Sequence, residues 1–258
     1  MRIALSPEAI AQRIDISLPP DTSRYLLSVL RCSKGDRIEV IDGKGKAYDA
    51  EITGMTKREV RIAILGERQA AAEPPVPLFL CQGVLKGEKM DMVIQKATEL
   101  GVKEIVPLIA ERSLVRETRK VQRWGKIAEE AAEQSGRAVI PLVREPMTFA
   151  AFFSLQRAES LRGMIFWERT GLPLREALSR IALPPGSSSG DPSLHPYGSS
   201  PLHLFIGPEG GFSIDEVHRA EAQGIVPVTL GSRILRAETA AIVAVALVQF
   251  ILEGEGAA

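Results

Sequence analysis

Only two cysteines, Cys32 and Cys81, occur in 258 residues, far apart and without a partner spacing that suits a metal. A disulfide framework and a cysteine-built metal centre are both excluded as organising features, and the composition fits a reducing cytoplasm. Net charge is also missing, because 32 Lys and Arg balance 32 Asp and Glu. No global field therefore recommends a polyanionic partner, and any nucleic-acid surface must come from local clustering. No apolar run is long enough to cross a bilayer, and the longest, residues 240–248, reads as a helix enclosed on every side. The opening MRIALSPEAI lacks the apolar stretch of a signal peptide, and no internal repeat is evident. What remains is a chain 45% hydrophobic, able to bury a sizeable core in one large domain or two smaller ones.

Two textures follow one another. GDRIEVIDGKGKAYDAEITGMTKREVRIAIL alternates apolar and polar positions and predicts β-strands, with Asp42-Gly43 opening a hairpin turn and a short helix at 23–30 before them. AAAEPPVP (70–77) breaks the pattern, which places a boundary between a domain over 1–72 and one over 73–258. Beyond it, apolar strand-like runs fall at 78–82, 104–109, 139–143, 163–168, 202–206 and 226–230. Helical patterns fill the gaps near 90–100, 120–135, 148–156, 172–181, 213–223 and 237–252. That alternation predicts a largely parallel α/β sheet covered on both faces. The Pro-, Gly- and Ser-rich stretch 183–201 reads as a surface excursion, and its His195 as a solvated loop residue.

The chemistry concentrates in two segments near the C-terminus, LFIGPEGGFSIDEV (204–217) and VTLGSRILRAETAAIVAVALVQF (228–250). Each passes from an apolar strand through a glycine-containing turn into a helix. Ser213 is placed as an N-cap with Glu216 at N3, and Phe212 and Val217 as a hydrophobic staple. Upstream, Gly207, Gly210 and Gly211 leave main chain bare for direct contact with a ligand. A dinucleotide fingerprint is excluded, because GPEGG has the wrong spacing and follows a late strand. Glu209 would repel a phosphate, so a ligand with a cationic or neutral reactive centre fits better. Apolar side chains beside bare backbone suit an adenine ring.

GPEGGFSIDE followed by LGSRILRAETA resembles the C-terminal signature of the SPOUT methyltransferases, and within them the RsmE family. QGVLKGEKMDMVIQKATELGV (82–102) and EQSGR (133–137) match as well, and VLRCSKGDRIEVIDGKG (29–45) is similar to that family's small PUA-like RNA-binding barrel. The resemblance implies a trefoil-knotted, mostly parallel sheet with helices on both faces, plus an N-terminal PUA-like β-barrel. It implies S-adenosyl-L-methionine as cofactor, held by Leu204, Ile206, Gly207, Pro208, Glu209, Gly210, Gly211, Leu230, Gly231, Ile234, Leu235, Arg236 and Thr239, and no metal. The implied reaction is methylation of N3 of a uridine in the decoding region of 16S ribosomal RNA, on the small ribosomal subunit. A homodimer paired through the C-terminal helix is implied too, in the cytoplasm and without a membrane. Methylation of another RNA, and RNA binding without catalysis, remain the alternatives.

Uridine N3 is a poor nucleophile until it loses its proton, so the site needs a proton acceptor or a cation that stabilises the uridinate. Arg236, at the exit of the second loop, is the first candidate cation and Arg137 the second. Glu209 or Glu238 is placed to accept a proton, with Glu238 alternatively serving the dipole of the C-terminal helix. For RNA, Arg112, Arg116, Arg119, Lys120, Arg123 and Lys126 crowd one stretch, and such a patch contacts phosphates or forms an ordinary solvated helix face. Lys86 and Lys89 lie in a loop after the first strand of the second domain, and Arg24, Arg31 and Lys34 offer contacts on the first. Trp124 and Trp167 read as core residues.

Overall fold

The computed structural model describes residues 1–155, 161–182, 197 and 200–255. It forms two compact units, residues 1–73 with 129–140 and residues 74–128 with 141–258.

The first unit is a five-stranded sheet of β1 (Arg2–Ala4), β2 (Ile16–Ser17), β3 (Arg37–Ile41), β4 (Ala47–Met55) and β5 (Val60–Arg68), in the order β1-β3-β4-β5-β2. Only β1 and β3 run parallel. The period-2 pattern sends Ile38, Val40, Ala50, Ile52, Val60 and Ile62 into one core with Leu26. The β3–β4 hairpin turns where Asp42-Gly43 predicted it. Asp42 Oδ1 accepts the N–H groups of Lys44 and Lys46 at 2.7 and 2.9 Å, and Gly43 takes a φ of +70°. Helix α1 (Pro7–Ala11) precedes α2 (Pro20–Arg24), which widens into a π-helical turn over Tyr25–Val29. The helix expected at 23–30 thus exists with a changed pitch that buries Leu26 and leaves Tyr25, Val29 and Leu30 exposed.

The second unit is a parallel sheet of β6 (Leu78–Gly83), β7 (Glu104–Ile109), β8 (Leu142–Val143), β9 (Met147–Thr148), β10 (Arg162–Phe166), β11 (Leu172–Pro173), β12 (Leu202–Ile206) and β13 (Val226–Thr229). Its order is β11-β13-β10-β12-β6-β7-β8, with β9 also paired to β7. The strand expected at 139–143 shrinks to two residues. Val139 instead bridges Lys44, and Ile140 donates to the Gly43 carbonyl, both within the first unit. The helices are α3 (Lys89–Glu99), α4 (Val121–Ser135, assigned to this unit as far as Ala128), α5 (Phe149–Leu155), α6 (Leu174–Ile181), α7 (Ile214–Glu221) and α8 (Ala237–Glu255).

Every residue of β12 is buried, as expected of a strand covered on both faces. On one face Phe205 stacks on Phe153 and meets Phe152 edge-on, in a cluster that includes Phe149, Phe212 and Val217. The capping box forms as predicted: Ser213 Oγ accepts the Glu216 N–H, and Glu216 Oε2 accepts the Ser213 N–H at 2.9 Å. The staple residues Phe212 and Val217 are each 1% exposed. Trp124 is buried, and its indole N–H donates to Asp91.

Helix α8 departs from expectation. It buries Ala241, Ala244, Val245, Val248 and Leu252 and packs on α3, β12 and β6, but it leaves Leu247 43% and Phe250 73% exposed. The sheet and α3 cover one side of this helix only, and the other side needs a separate cover. Its apolar helix Ala237–Gly254 is long enough by composition to cross a membrane, yet the buried face is committed to the sheet. Tyr197, inside the expected surface excursion, is buried, and Arg162 donates to its carbonyl oxygen. His195 and most of 183–201 lie outside the described residues.

His203 of β12 is buried among Phe79, Phe152 and Phe205, with Nδ1 at 3.1 Å from the Arg162 carbonyl. Burial pushes its pKa below the ordinary value near 6.5. The unfolded chain therefore takes up this proton at a higher pH than the folded one does. The associated stability is fully present above the unfolded value and is lost as pH falls below it. Wild type is expected to lose more unfolding free energy than His203→Phe between about pH 7.5 and about pH 5.5, measured by denaturant titration; equal losses would refute the assignment.

Candidate functional site

In a parallel sheet, the carboxyl ends of neighbouring strands share one edge, and the crevice outside that edge is where ligands bind. Here β13, β10, β12 and β6 are consecutive neighbours. The segments leaving β10, β12 and β13, together with Lys89 of α3 and the first turn of α8, enclose a cleft of about 430 Å³. That volume suits a small organic ligand. Phe166, Ile206, Leu230, Ile234 and Leu235 give it apolar walls, and its charged members are Lys89, Glu168, Glu209, Arg233, Arg236 and Glu238.

Most residues expected to bind a ligand are brought together here: Ile206, Gly207, Pro208, Glu209, Gly210, Gly211, Leu230, Gly231, Ile234, Leu235 and Arg236 all line the cleft. Leu204 and Thr239 do not. Leu204 is fully buried two residues before the end of β12, below the level of the cleft. Thr239 is exposed, while Glu238 and Ala240 on either side of it face the cleft. Residues without a sequence signal are Phe166, Trp167 and Glu168, which follow from β10 standing beside β12, a fact of strand order. Trp167 is only partly buried, and it packs against the core cluster while lining the cleft.

The glycines of the first loop line the cleft and also let the chain pack closely on itself. A Cβ on Gly207 would stand 3.0 Å from Gly211 Cα, and one on Gly210 would stand 2.9 Å from Arg112 Cβ. At Gly211 it would meet the Glu168 carboxylate at 3.2 Å. These gaps are filled by the protein's own packing. Gly231 has a φ of +105°, which favours glycine, and nothing lies near its missing side chain. Thr229 orders that second loop by exchanging hydrogen bonds with the Gly231 N–H and carbonyl. Gly83, at the end of β6, carries the tightest approach of all: a Cβ there would stand 2.4 Å from Pro208 N.

The carboxylates are held unevenly. Glu209 Oε1 accepts the Lys86 N–H at 3.0 Å and lies 3.7 Å from Lys89 Nζ, whereas its Oε2 is buried without a donor. Glu238 Oε2 is buried likewise, 3.7 Å from the same Nζ. A buried acceptor without a partner costs about 1–3 kcal/mol, so both oxygens are prepared for a donor or a cation. Glu216, behind the cleft, is fully engaged, because Oε1 also accepts the Glu111 N–H at 2.8 Å.

Arg137 stands apart from the cleft lining. It is 7% exposed in the first unit and forks onto the Glu73 carboxylate, so its guanidinium is committed to an internal ion pair. Much of the basic stretch is also engaged. Arg112 reaches the Gly210 and Phe212 carbonyls, Arg116 those of Ala110 and Glu111, Lys120 that of Gly87, and Arg123 pairs with Asp91. Arg119 and Lys126 are exposed, as are the side chains of Lys86, Arg24, Arg31 and Lys34. Arg31 has a φ of +53° just after the π-helical turn. Among the described residues no group of three or more His, Cys, Asp or Glu could hold a metal ion.

A parallel α/β domain with a ligand-sized cleft at its strand ends, in one chain with a small β domain, is an architecture compatible with an RNA-modifying transferase. Family models agree with it: one described as an RNA methyltransferase domain matches residues 72–249, and one described as an RNA methyltransferase PUA domain matches residues 18–65. The chain belongs to the ribosomal RNA small subunit methyltransferase E family. It is 33% identical to the protein of that name from Synechocystis over 98% of this chain and 78% of that one. With the Bacillus subtilis protein it shares 31% identity over 97% and 96% of the two chains. The crystal structure of the Neisseria gonorrhoeae protein bound to S-adenosyl methionine superposes with a TM-score of 0.81 at 33% identity, covering 97% of each chain.

The contact of Gly83 with Pro208 gives a direct test. Gly83→Ala is expected to destabilise the protein by about 1–3 kcal/mol through overpacking. Gly125→Ala, in α4 with nothing near its missing side chain, is expected to stabilise it by about 0.5–1 kcal/mol. Thermal unfolding of the two variants reads both signs.

Proposed function

We propose that this protein transfers the methyl group of S-adenosyl-L-methionine to N3 of a uridine in the RNA of the small ribosomal subunit. The observation that carries the reading is the cleft itself, with apolar walls, glycine-containing loops on two sides and two buried carboxylate oxygens without donors. An adenine ring suits the walls and the main chain, and a positively charged ligand suits the orphaned oxygens. The cofactor, when bound, supplies an electrophilic methyl group. In this reading Leu230, Ile234 and Leu235 enclose the adenine, and the loop 207–211 shapes the opposite wall.

The protein's remaining task is to make N3 nucleophilic. Arg236 lines the cleft and its side chain is exposed. It is assigned to stabilise the negative charge on the uracil carbonyl oxygens as the N3 proton leaves. Arg233 lies on the same loop and places a second exposed cation beside it. Glu209 is less suited to take the proton, because one oxygen is occupied by the Lys86 N–H and the other is enclosed. Glu168, exposed at the cleft beside Gly211, is the carboxylate with room for that step. Arg137 is assigned to the internal pair with Glu73 and not to the reaction. Arg24, Arg31, Lys34, Lys86 and Arg119 are assigned to RNA phosphates, contacts that position without reading sequence.

We further propose a trefoil knot around 204–236 and a homodimer that covers the outer face of α8, where Leu247 and Phe250 are exposed on an apolar helix. Phe250→Asp is expected to yield a monomer in sedimentation analysis, and an unchanged dimer would refute this interface. For the chemistry, Arg236→Ala is expected to lower kcat by roughly 10²–10³ with unfolding unchanged, measured on small-subunit RNA with labelled cofactor. Turnover near the wild-type rate would remove Arg236 from the reaction.

A further inference from the structure

Lys89 occupies an unusual place. Its ammonium lies 3.7 Å from Glu209 Oε1 and 3.7 Å from Glu238 Oε2, too far for a good hydrogen bond to either. The two carboxylates come from different elements, one from the loop after β12 and one from the first turn of α8. Their side chains are only 20% and 13% exposed, and each keeps a buried oxygen without a donor. One cation is therefore divided between two anions, and the trio carries one negative charge in excess where the cleft is most enclosed.

We infer that Glu209 and Glu238, with Lys89 between them, form a charge gauge that favours the methyl donor over its demethylated product. This rests on S-adenosylmethionine being the ligand of the cleft. That molecule combines a sulfonium, an ammonium and a carboxylate, and so carries one net positive charge. S-adenosylhomocysteine has lost the sulfonium charge and is neutral overall, although its shape is nearly the same. An excess negative charge in a partly desolvated cleft attracts the first and is indifferent to the second. Methyl transfer then removes the charge that held the ligand, and the spent cofactor leaves more readily than it came. Arg233 and Arg236 do not cancel this field, because both are exposed, and solvent screens them more strongly than it screens the two enclosed carboxylates.

The test is calorimetric and needs no turnover. Wild type, Glu238→Gln, Glu209→Gln and Lys89→Met are titrated with S-adenosylmethionine and with S-adenosylhomocysteine. Each Glu→Gln variant is expected to bind the methylated compound about tenfold or more weakly, the scale of a lost charge-assisted contact, with affinity for the neutral compound unchanged. Lys89→Met is expected to move the ratio of the two affinities the other way. Equal weakening of both compounds in the Glu→Gln variants would assign these residues to shape and overturn the gauge alone, as would a fall in the ratio for Lys89→Met. Wild type that binds neither compound would overturn the cofactor reading and the gauge with it.

Discussion

Parallel pairing is the constraint on which the rest of the second unit depends. Because β10, β12 and β13 run in one direction, the segments that leave them must emerge along a single edge. Residues far apart in sequence, Glu168, Glu209 and Arg233, are thereby obliged to meet at one cleft. The register is held from both faces, by the aromatic cluster around Phe205 on one side and by α3 and α8 on the other. Without that two-sided burial the loops would have no fixed edge from which to project.

Much of this was legible beforehand, and for identifiable reasons. Strand and helix periods differ enough that the alternation beyond residue 78 located most elements within a few residues. Ser213 and Glu216 marked the start of α7 because a capping box has few other uses. Strand order was not legible. Nothing in residues 162–168 announces that β10 stands between β12 and β13, so Trp167 and Glu168 entered the cleft unannounced. The outer face of α8 was not legible for a related reason: composition records how apolar a helix is, but not which of its sides its own chain covers.

Glycine and arginine illustrate a second limit. Gly207 and Gly210 line the cleft, and a side chain at either would also strike Gly211 or Arg112. The basic stretch 112–126 looked like a phosphate surface, yet Arg112, Arg116 and Lys120 donate to main-chain carbonyls. In both cases the local chemistry was read correctly, and the partner was supplied by the same chain. Arg137 repeats the pattern with Glu73. An intramolecular partner at effectively high local concentration outcompetes an external one unless the fold withholds it.

Helix α8 is a rod of 19 residues, about 28 Å from end to end. Its first turn carries Glu238 into the cleft, and its later turns expose Phe250. In the proposed dimer a stiff element held at both ends would transmit restraint between them, so whatever quiets one end makes ordering the other less costly in entropy. Linkage of that kind is reciprocal. Occupancy of the cleft and association through the far end of the rod would then strengthen each other, and apparent ligand affinity would rise with protein concentration.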